Sequence, residues 1–349
     1  MIATLTKRAL GILALGASLI AGTASARDLT VVAWGGSSQA AQRQVYYRPF
    51  MEQMRMPLLE DSWSGGLGIL RARVAAAPPT WDVVQVESDE LQIGCDEGLF
   101  ERVDWAALGG REAFMREAVS DCGVGAVVWS VGLSYDASRL RTAPTSWVDF
   151  WDTQRFPGQR SLRRGPKYTL EIALMSDGVP PAEVYRVLRA PGGVDRAFRR
   201  LDQLRSNIVW WTAGAQPGQL LASGEVSMVA AYTGRMAAAR RDDNRDFRVV
   251  WNGSIYAIDH WVILRGSPNL AQARQLVHFM TRPEQQTRYA PLAFQGATNL
   301  AATPPTDPVT LQGIPTAPEN LRVAIPLDVE YWTDNLEELT QRFNAWAAR

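Results

Sequence analysis

Short β-rich runs alternate with amphipathic segments along most of this 349-residue chain, and that alternation admits few architectures. Strands interleaved with helices at such intervals stack helices on the faces of a largely parallel sheet, so an α/β fold is expected. Residues 29–34, 81–86, 126–134, 226–232, 247–251 and 260–264 carry the strand pattern. Helical spacing covers residues 38–47, 66–76, 194–205, 217–223, 269–280 and 334–348. Ser37 and Ser38 can cap the first helix, and Pro283 suits the first position after a cap at Arg282. The Pro- and Thr-rich stretch 301–318 reads as an irregular connection ahead of C-terminal helices.

The N-terminus carries an export pattern. Lys7 and Arg8 precede an uncharged run over residues 9–21, and the small residues Ala24, Ser25 and Ala26 follow it. This order is that of a secretory signal peptide, residues 1–26, so the mature chain is expected to begin at Arg27. The apolar run falls short of the roughly 20 residues that a membrane span requires, and no later stretch is long and apolar enough. About 320 remaining residues exceed what one hydrophobic core usually serves, which points to two lobes. With 36 basic and 36 acidic side chains, bulk charge favours neither nucleic acid nor an anionic membrane as partner. Cys95 and Cys122 are the chain's two cysteines, and in an exported protein they are expected to pair. In the chain-entropy account such a bridge stabilises by roughly 3 to 4 kcal/mol.

Enzyme signatures are missing from the sequence: it has no GxSxG elbow, no phosphate-binding Walker loop, no HExxH and no dinucleotide fingerprint. The two histidines, His260 and His278, fall on separate predicted elements, so neither a metal site nor a cofactor is expected, and His278 reads as core. Clustered tyrosines of the kind a ferric-ion binder needs are not evident either. A binding protein is the better expectation.

Six segments in order carry a family resemblance: LTVVAWGGSSQAAQ at 29–42, WDVVQVESDEL at 81–91, SWVDFWD at 146–152 with the RFPGQRSLRRG that follows, ASGEVSMVAAYTGR at 222–235, IDHWVILRGSPN at 258–269 and ATNLAA at 297–302. Together they resemble the periplasmic substrate-binding proteins of the spermidine/putrescine type, which have the two-lobed type II periplasmic fold. The resemblance implies a periplasmic, monomeric protein that closes two lobes on a small solute and delivers it to the permease of an ABC importer. It places lobe one at 27–134 plus 260–300 and lobe two at 135–259. Residues 301–349 would pack on the lobes, and the crossovers would lie near 133–136 and 256–261. A periplasmic sensor that presents solute to a membrane receptor would need the same closure.

Candidate ligand residues follow from the residues and from the resemblance together. Trp34 and Gly36 end the first strand, where ligands of α/β proteins bind and where glycine lets backbone N–H groups approach. Glu87 and Ser88 end the second; the adjacent Asp89 is equally suited to capping the next helix. Tyr232 and Asp259 align with the family's aromatic wall and ammonium-binding aspartate, although Asp259 can instead hold hinge backbone. Around Lys167 and Tyr168 the chain is basic (Arg163-Arg164-Gly165-Pro166-Lys167-Tyr168) where polyamine binders carry acids, so a ligand with a carboxylate is expected and the spermidine label is not transferred. Glu171 can serve as a substitute acid or as a helical partner of Lys167. Trp211 and Gln216 stand at the start of a further helix whose free N–H groups suit an anionic group, or Gln216 simply caps it. Arg235 offers either a carboxylate contact or a solvated helix start. The expected solute is therefore a small amine-containing or zwitterionic molecule, with a small carboxylate as the alternative.

Overall fold

The computed structural model describes residues 27–349, so the signal segment expected at 1–26 lies outside the described residues. Nine strands join one sheet: β1 (Leu29–Ala33), β2 (Leu58–Ser62), β3 (Val83–Glu87), β4 (Gly123–Asp136), β5 (Gln159–Arg163), β6 (Ile208–Trp211), β7 (Val226–Tyr232), β8 (Phe247–Ile263) and β9 (Ile325–Pro326). Their order is β2-β1-β3-β8-β4-β7-β5-β6, with β9 attached to β8. The sheet is mixed rather than largely parallel. Parallel pairing holds at its two ends, β2-β1-β3 and β7-β5-β6. The middle is antiparallel, because β4 and β8 cross the molecule in opposite directions.

Those two long strands make the architecture two-lobed. Gly123 to Val131 of β4 pair with the later half of β8, whereas Leu133 to Asp136 pair with its beginning, and β7 joins from Val131 onward. The ladder is interrupted by register shifts between Gly125 and Val127 and between Val131 and Leu133. The strands expected at 247–251 and 260–264 are the two ends of one strand, β8. The strand continues through Gly253, whose φ of +70° bends the chain. Its N–H donates to the Val323 carbonyl (2.9 Å) and its own carbonyl accepts from Trp147 Nε1 (2.8 Å).

The first helix is longer than expected: Gly36–Gln42, a π turn at Arg43–Tyr47, then Arg48–Met54, ended by Arg55 in the left-handed region. The final helix, Val329–Ala347, begins earlier than the pattern suggested because the Asp328 carboxylate caps it, accepting the Tyr331 N–H at 2.9 Å. Its side chains bond to the β5-β6-β7 side, where Trp332 Nε1 donates to Glu171 (2.6 Å), Trp346 Nε1 to Asp202 (2.8 Å), and Arg189 pairs with Asp328 (2.6 Å), while the helix also packs against Ser88–Asp96 of the other half. Cys95 and Cys122 are joined, as expected, and tie the helix Ser88–Asp96 to the entry of β4. His278, read as core, is half-buried, because its helix Leu270–Thr281 turns Ala273, Leu276 and Met280 inward instead.

Candidate functional site

Between the two halves of the sheet lies a cavity of about 270 Å3. The ends of β1 and β3 supply Trp34 and Glu87, β8 supplies Asp259, and the loop after β2 supplies Trp63; β5 and β7 on the other side supply Arg163 and Tyr232. Trp129 of β4 lines it from the sheet. Its walls are aromatic. Trp34 stacks on Trp63 with ring centroids 5.2 Å apart, and Trp129 meets Tyr232 edge-on at 5.3 Å. Such faces suit a cation or a short methylene chain.

Asp259 is buried and accepts three hydrogen bonds from neutral donors: Trp129 Nε1 (2.5 Å) on Oδ1, and Trp34 Nε1 (2.7 Å) and Gln85 Nε2 (2.9 Å) on Oδ2. It therefore sets the angle of two cavity tryptophans. Desolvation, reinforced by the charge of Glu87, pushes its carboxyl well above the usual range, and the three donors only partly oppose this.

Glu87 has a different environment. Burial pushes its carboxyl up, but the Lys167 and Arg163 charges outweigh burial and hold it down at about 2. Tyr168 OH donates to Glu87 (2.7 Å) and Lys167 is paired with it. The Lys167 ammonium also reaches both oxygens of Asp89, at 2.9 and 2.7 Å. Burial alone would lower the Lys167 pKa, yet Asp89 and Glu87 more than offset it and the net direction is upward. Behind them Glu90 is buried; desolvation and the charges of Glu87 and Asp89 push it up to about 7. Its oxygens accept the Gly66 N–H (2.6 Å) and the Glu87 N–H (3.1 Å).

Two arginines face the cavity. Arg235 bridges the cleft, donating from Nη2 to the carbonyls of Trp34 (3.0 Å) and Gly35 (3.2 Å). This approach needs a glycine opposite it: a Cβ on Gly36, whose φ is +62°, would lie 2.1 Å from Arg235 Nη1. Arg163 differs, because its guanidinium makes no hydrogen bond among the described residues; its nearest acid is Glu87, at 3.7 Å. Arg163 is nonetheless part of the cavity wall.

Of the residues singled out in the sequence, Trp34, Gly36, Glu87, Tyr232 and Asp259 meet at the cavity, and so does Arg235. The others spend their polar atoms on protein. Ser88 Oγ donates to the Ile258 carbonyl (2.6 Å), and Trp211 Nε1 to that of Ala230 (3.0 Å). Gln216 Oε1 accepts the N–H groups of Thr212 (2.7 Å) and Ala213 (2.8 Å), the capping alternative. Lys167 and Tyr168 lie behind Glu87, in contact with it but not on the wall. Glu171 is neither a cleft acid nor a partner of Lys167; it is buried under the C-terminal helix, bonded to Tyr185 (2.9 Å) and Trp332 (2.6 Å). Sequence reasoning missed Trp63 and Trp129, and named Arg163 as part of the basic stretch without singling it out from its neighbours. Trp129 sits mid-strand in a run that reads as core, and nothing in the sequence marks which end of β5 carries the inward arginine.

A two-lobed α/β fold with a cleft lined by aromatic, acidic and basic side chains is the form of a solute receptor. Residues 62–314 match the bacterial extracellular solute-binding protein family, and the chain belongs to it. It is 46% identical over 332 residues, 94% of this chain and 93% of the other, to the gamma-aminobutyric acid-binding protein of Pseudomonas aeruginosa. The spermidine/putrescine-binding periplasmic protein of Escherichia coli is 25% identical over 175 residues, 50% of this chain and 48% of the other. Among solved structures, a GABA receptor superposes with a TM-score of 0.80 at 30% identity, covering 92% of this chain and 98% of that one. The family is periplasmic and not enzymatic, and its members serve ABC importers by binding a small polar solute.

Proposed function

We propose that this protein binds a small ω-amino acid of the gamma-aminobutyric acid kind and hands it to the permease of an ABC importer. The observation that carries the reading is Arg163: a guanidinium on the cavity wall that makes no hydrogen bond among the described residues. A carboxylate satisfies a guanidinium with two charge-assisted bonds. The ammonium end then lies among Trp34, Trp129 and Asp259, whose carboxylate has neutral donors but no cation. The relatives named for gamma-aminobutyric acid support this choice of solute. A diammonium ligand fits less well, because it would set one ammonium against Arg163.

In this reading the lobes meet along the middle of β4 and β8, close to the expected boundaries at 134 and 259, and the final helix of the 301–349 segment touches both lobes. Segment 1–26 is removed on export, and the mature protein works as a monomer. Ligand favours closure because only the closed cleft touches it from both sides. A micromolar affinity corresponds to about 8 kcal/mol, within reach of one carboxylate clamp and an aromatic-walled ammonium site.

Titration calorimetry against gamma-aminobutyrate, 5-aminopentanoate, butyrate, butylamine and 1,4-diaminobutane tests the proposal. The ω-amino acids should bind tightest, and Arg163→Met should weaken them about 30-fold, about 2 kcal/mol, while leaving the weak binding of butylamine unchanged. Tighter binding of the diamine, or no heat with any ω-amino acid at millimolar concentration, would overturn it.

A further inference from the structure

Lys7 and Lys167 are the two lysines of the chain, against 36 basic residues in all; every other cation is an arginine. The single lysine beyond the N-terminal segment is also among the most buried charges. Its side chain is 9% exposed, enclosed by Glu87 and Asp89, whose side chains are 6% and 0% exposed. A compact ammonium can be surrounded by carboxylates from several directions, whereas a planar guanidinium cannot fill the same space. Lys167 follows β5 on one side of the cleft; Glu87 and Asp89 lie at the end of β3 and the start of the next helix on the other. The contact therefore crosses the cleft. Glu87 belongs to both environments: it lines the cavity and also holds Lys167, which does not.

From this juxtaposition we propose that Lys167 is a built-in substitute for a ligand's second ammonium group, and that by occupying the pocket between Glu87 and Asp89 it restricts the cleft to solutes with one amine. The proposal rests on the reading of the cleft as an amino-acid site but concerns a different part of it. The arrangement around Lys167 Nζ is what a primary ammonium at the end of a ligand chain would need: two carboxylates, with a tyrosine ring 5.7 Å from the charge. Because the cation is covalently attached, its binding loses less translational freedom than a free amine would, and it neutralises the acids whether or not solute is present. A diamine entering the wild-type cleft finds Asp259 for one end and no open acid for the other.

The test removes the substitute and offers a free one. Lys167→Ala leaves an acidic pocket next to the cavity, whereas Lys167→Met removes the charge but keeps the pocket filled. With wild type, both variants and a series from 1,3-diaminopropane to 1,6-diaminohexane, calorimetry should show at least a tenfold gain in diamine affinity for Lys167→Ala at one or two chain lengths. Lys167→Met should show no gain. Methylammonium at tens of millimolar should raise the melting temperature of Lys167→Ala and not that of wild type. If Lys167→Ala does not fold, Lys167→Ala combined with Asp89→Asn, which removes the excess charge, is read in the same way. Equal diamine affinity in wild type and the alanine variant, or an equal gain in the methionine variant, overturns the proposal. Failure of wild type to bind ω-amino acids would instead count against the function proposed above, and the two failures are separately visible.

Discussion

Asp82 and Asp259 are both buried carboxylates in the half of the molecule that contains β1 and β3, yet they are satisfied in opposite ways. Asp82 receives the Arg27 guanidinium on both oxygens (2.6 and 2.9 Å), the Thr30 N–H (2.8 Å), Ser267 Oγ (2.6 Å) and Asn269 Nδ2 (3.2 Å). Its charge is matched by a cation and its lone pairs are taken. Asp259 receives two indoles and one amide and no cation. A buried carboxylate with a cation is a structural joint; one with neutral donors, on a cavity wall, still needs a positive charge, and a ligand ammonium or a proton must provide it. Two aspartates in similar solvent isolation are thus assigned to folding in one case and, on the proposed function, to recognition in the other.

The largest expected effect separates these roles. Asp259→Asn should weaken solute binding at least 100-fold while changing unfolding free energy by no more than about 1 kcal/mol, since the lost hydrogen bond is offset by relief of desolvation. Asp82→Asn should cost about 3 kcal/mol in urea unfolding, as expected for a broken buried pair, and leave affinity within twofold. If Asp82→Asn weakens binding as much as Asp259→Asn does, the distinction fails.

A second effect concerns closure, without which Asp259 would be open to water. Gly36→Ala puts a methyl group where Arg235 passes and asks alanine to adopt a φ of +62°. Affinity should fall about tenfold, and small-angle scattering should show less compaction at saturating solute, with chemical unfolding in the absence of solute shifted by about 1 kcal/mol at most. Unchanged affinity and compaction would mean that Arg235 does not hold the cleft shut.

Glu171, away from the cleft, extends the comparison to a third buried acid. One of its oxygens is bonded to Tyr185 and Trp332, the other has no partner, and desolvation pushes its carboxyl up to about 7. The folded state therefore holds a proton between about pH 4.5 and pH 7 that the unfolded state has lost. Stability should fall as pH rises through that window, by up to about 1.4 kcal/mol per pH unit for each such proton. Glu90, also at about 7, adds in the same direction. Glu171→Gln should remove one proton's share of the slope, up to about 1.4 kcal/mol per pH unit, in melting curves from pH 5 to 7; an unaltered slope would assign the proton elsewhere.

Much of this site was readable before any coordinates. Trp34, Glu87 and Tyr232 stand at strand ends, and the fall from an apolar run to Gly or Ser marks such ends in sequence. Less was readable where a residue type has two uses. Gln216 has the chemistry of both a ligand contact and a cap, and only the positions of Thr212 N and Ala213 N decide for the cap. Lys167 was readable as a charge in the wrong place for a polyamine site, but its partners lie 78 and 80 positions away in sequence, and no local pattern encodes that pairing. β2, β5 and β6 escaped because LLEDS, QRSLR and IVWW are short and lack the apolar alternation that marks a strand. The antiparallel middle of the sheet escaped because helix-strand alternation reports spacing and not direction.

The shared ladder of β4 and β8 has a mechanical consequence. Two separate loops joining the lobes would act as independent swivels, each free to rotate about its own bonds. Here two of the connections are strands bonded to each other along most of their length, so neither can turn without bending its partner. The closure proposed above would flex this strip as a leaf spring flexes, with the register breaks at Gly125/Val127 and Val131/Leu133 as its thin places.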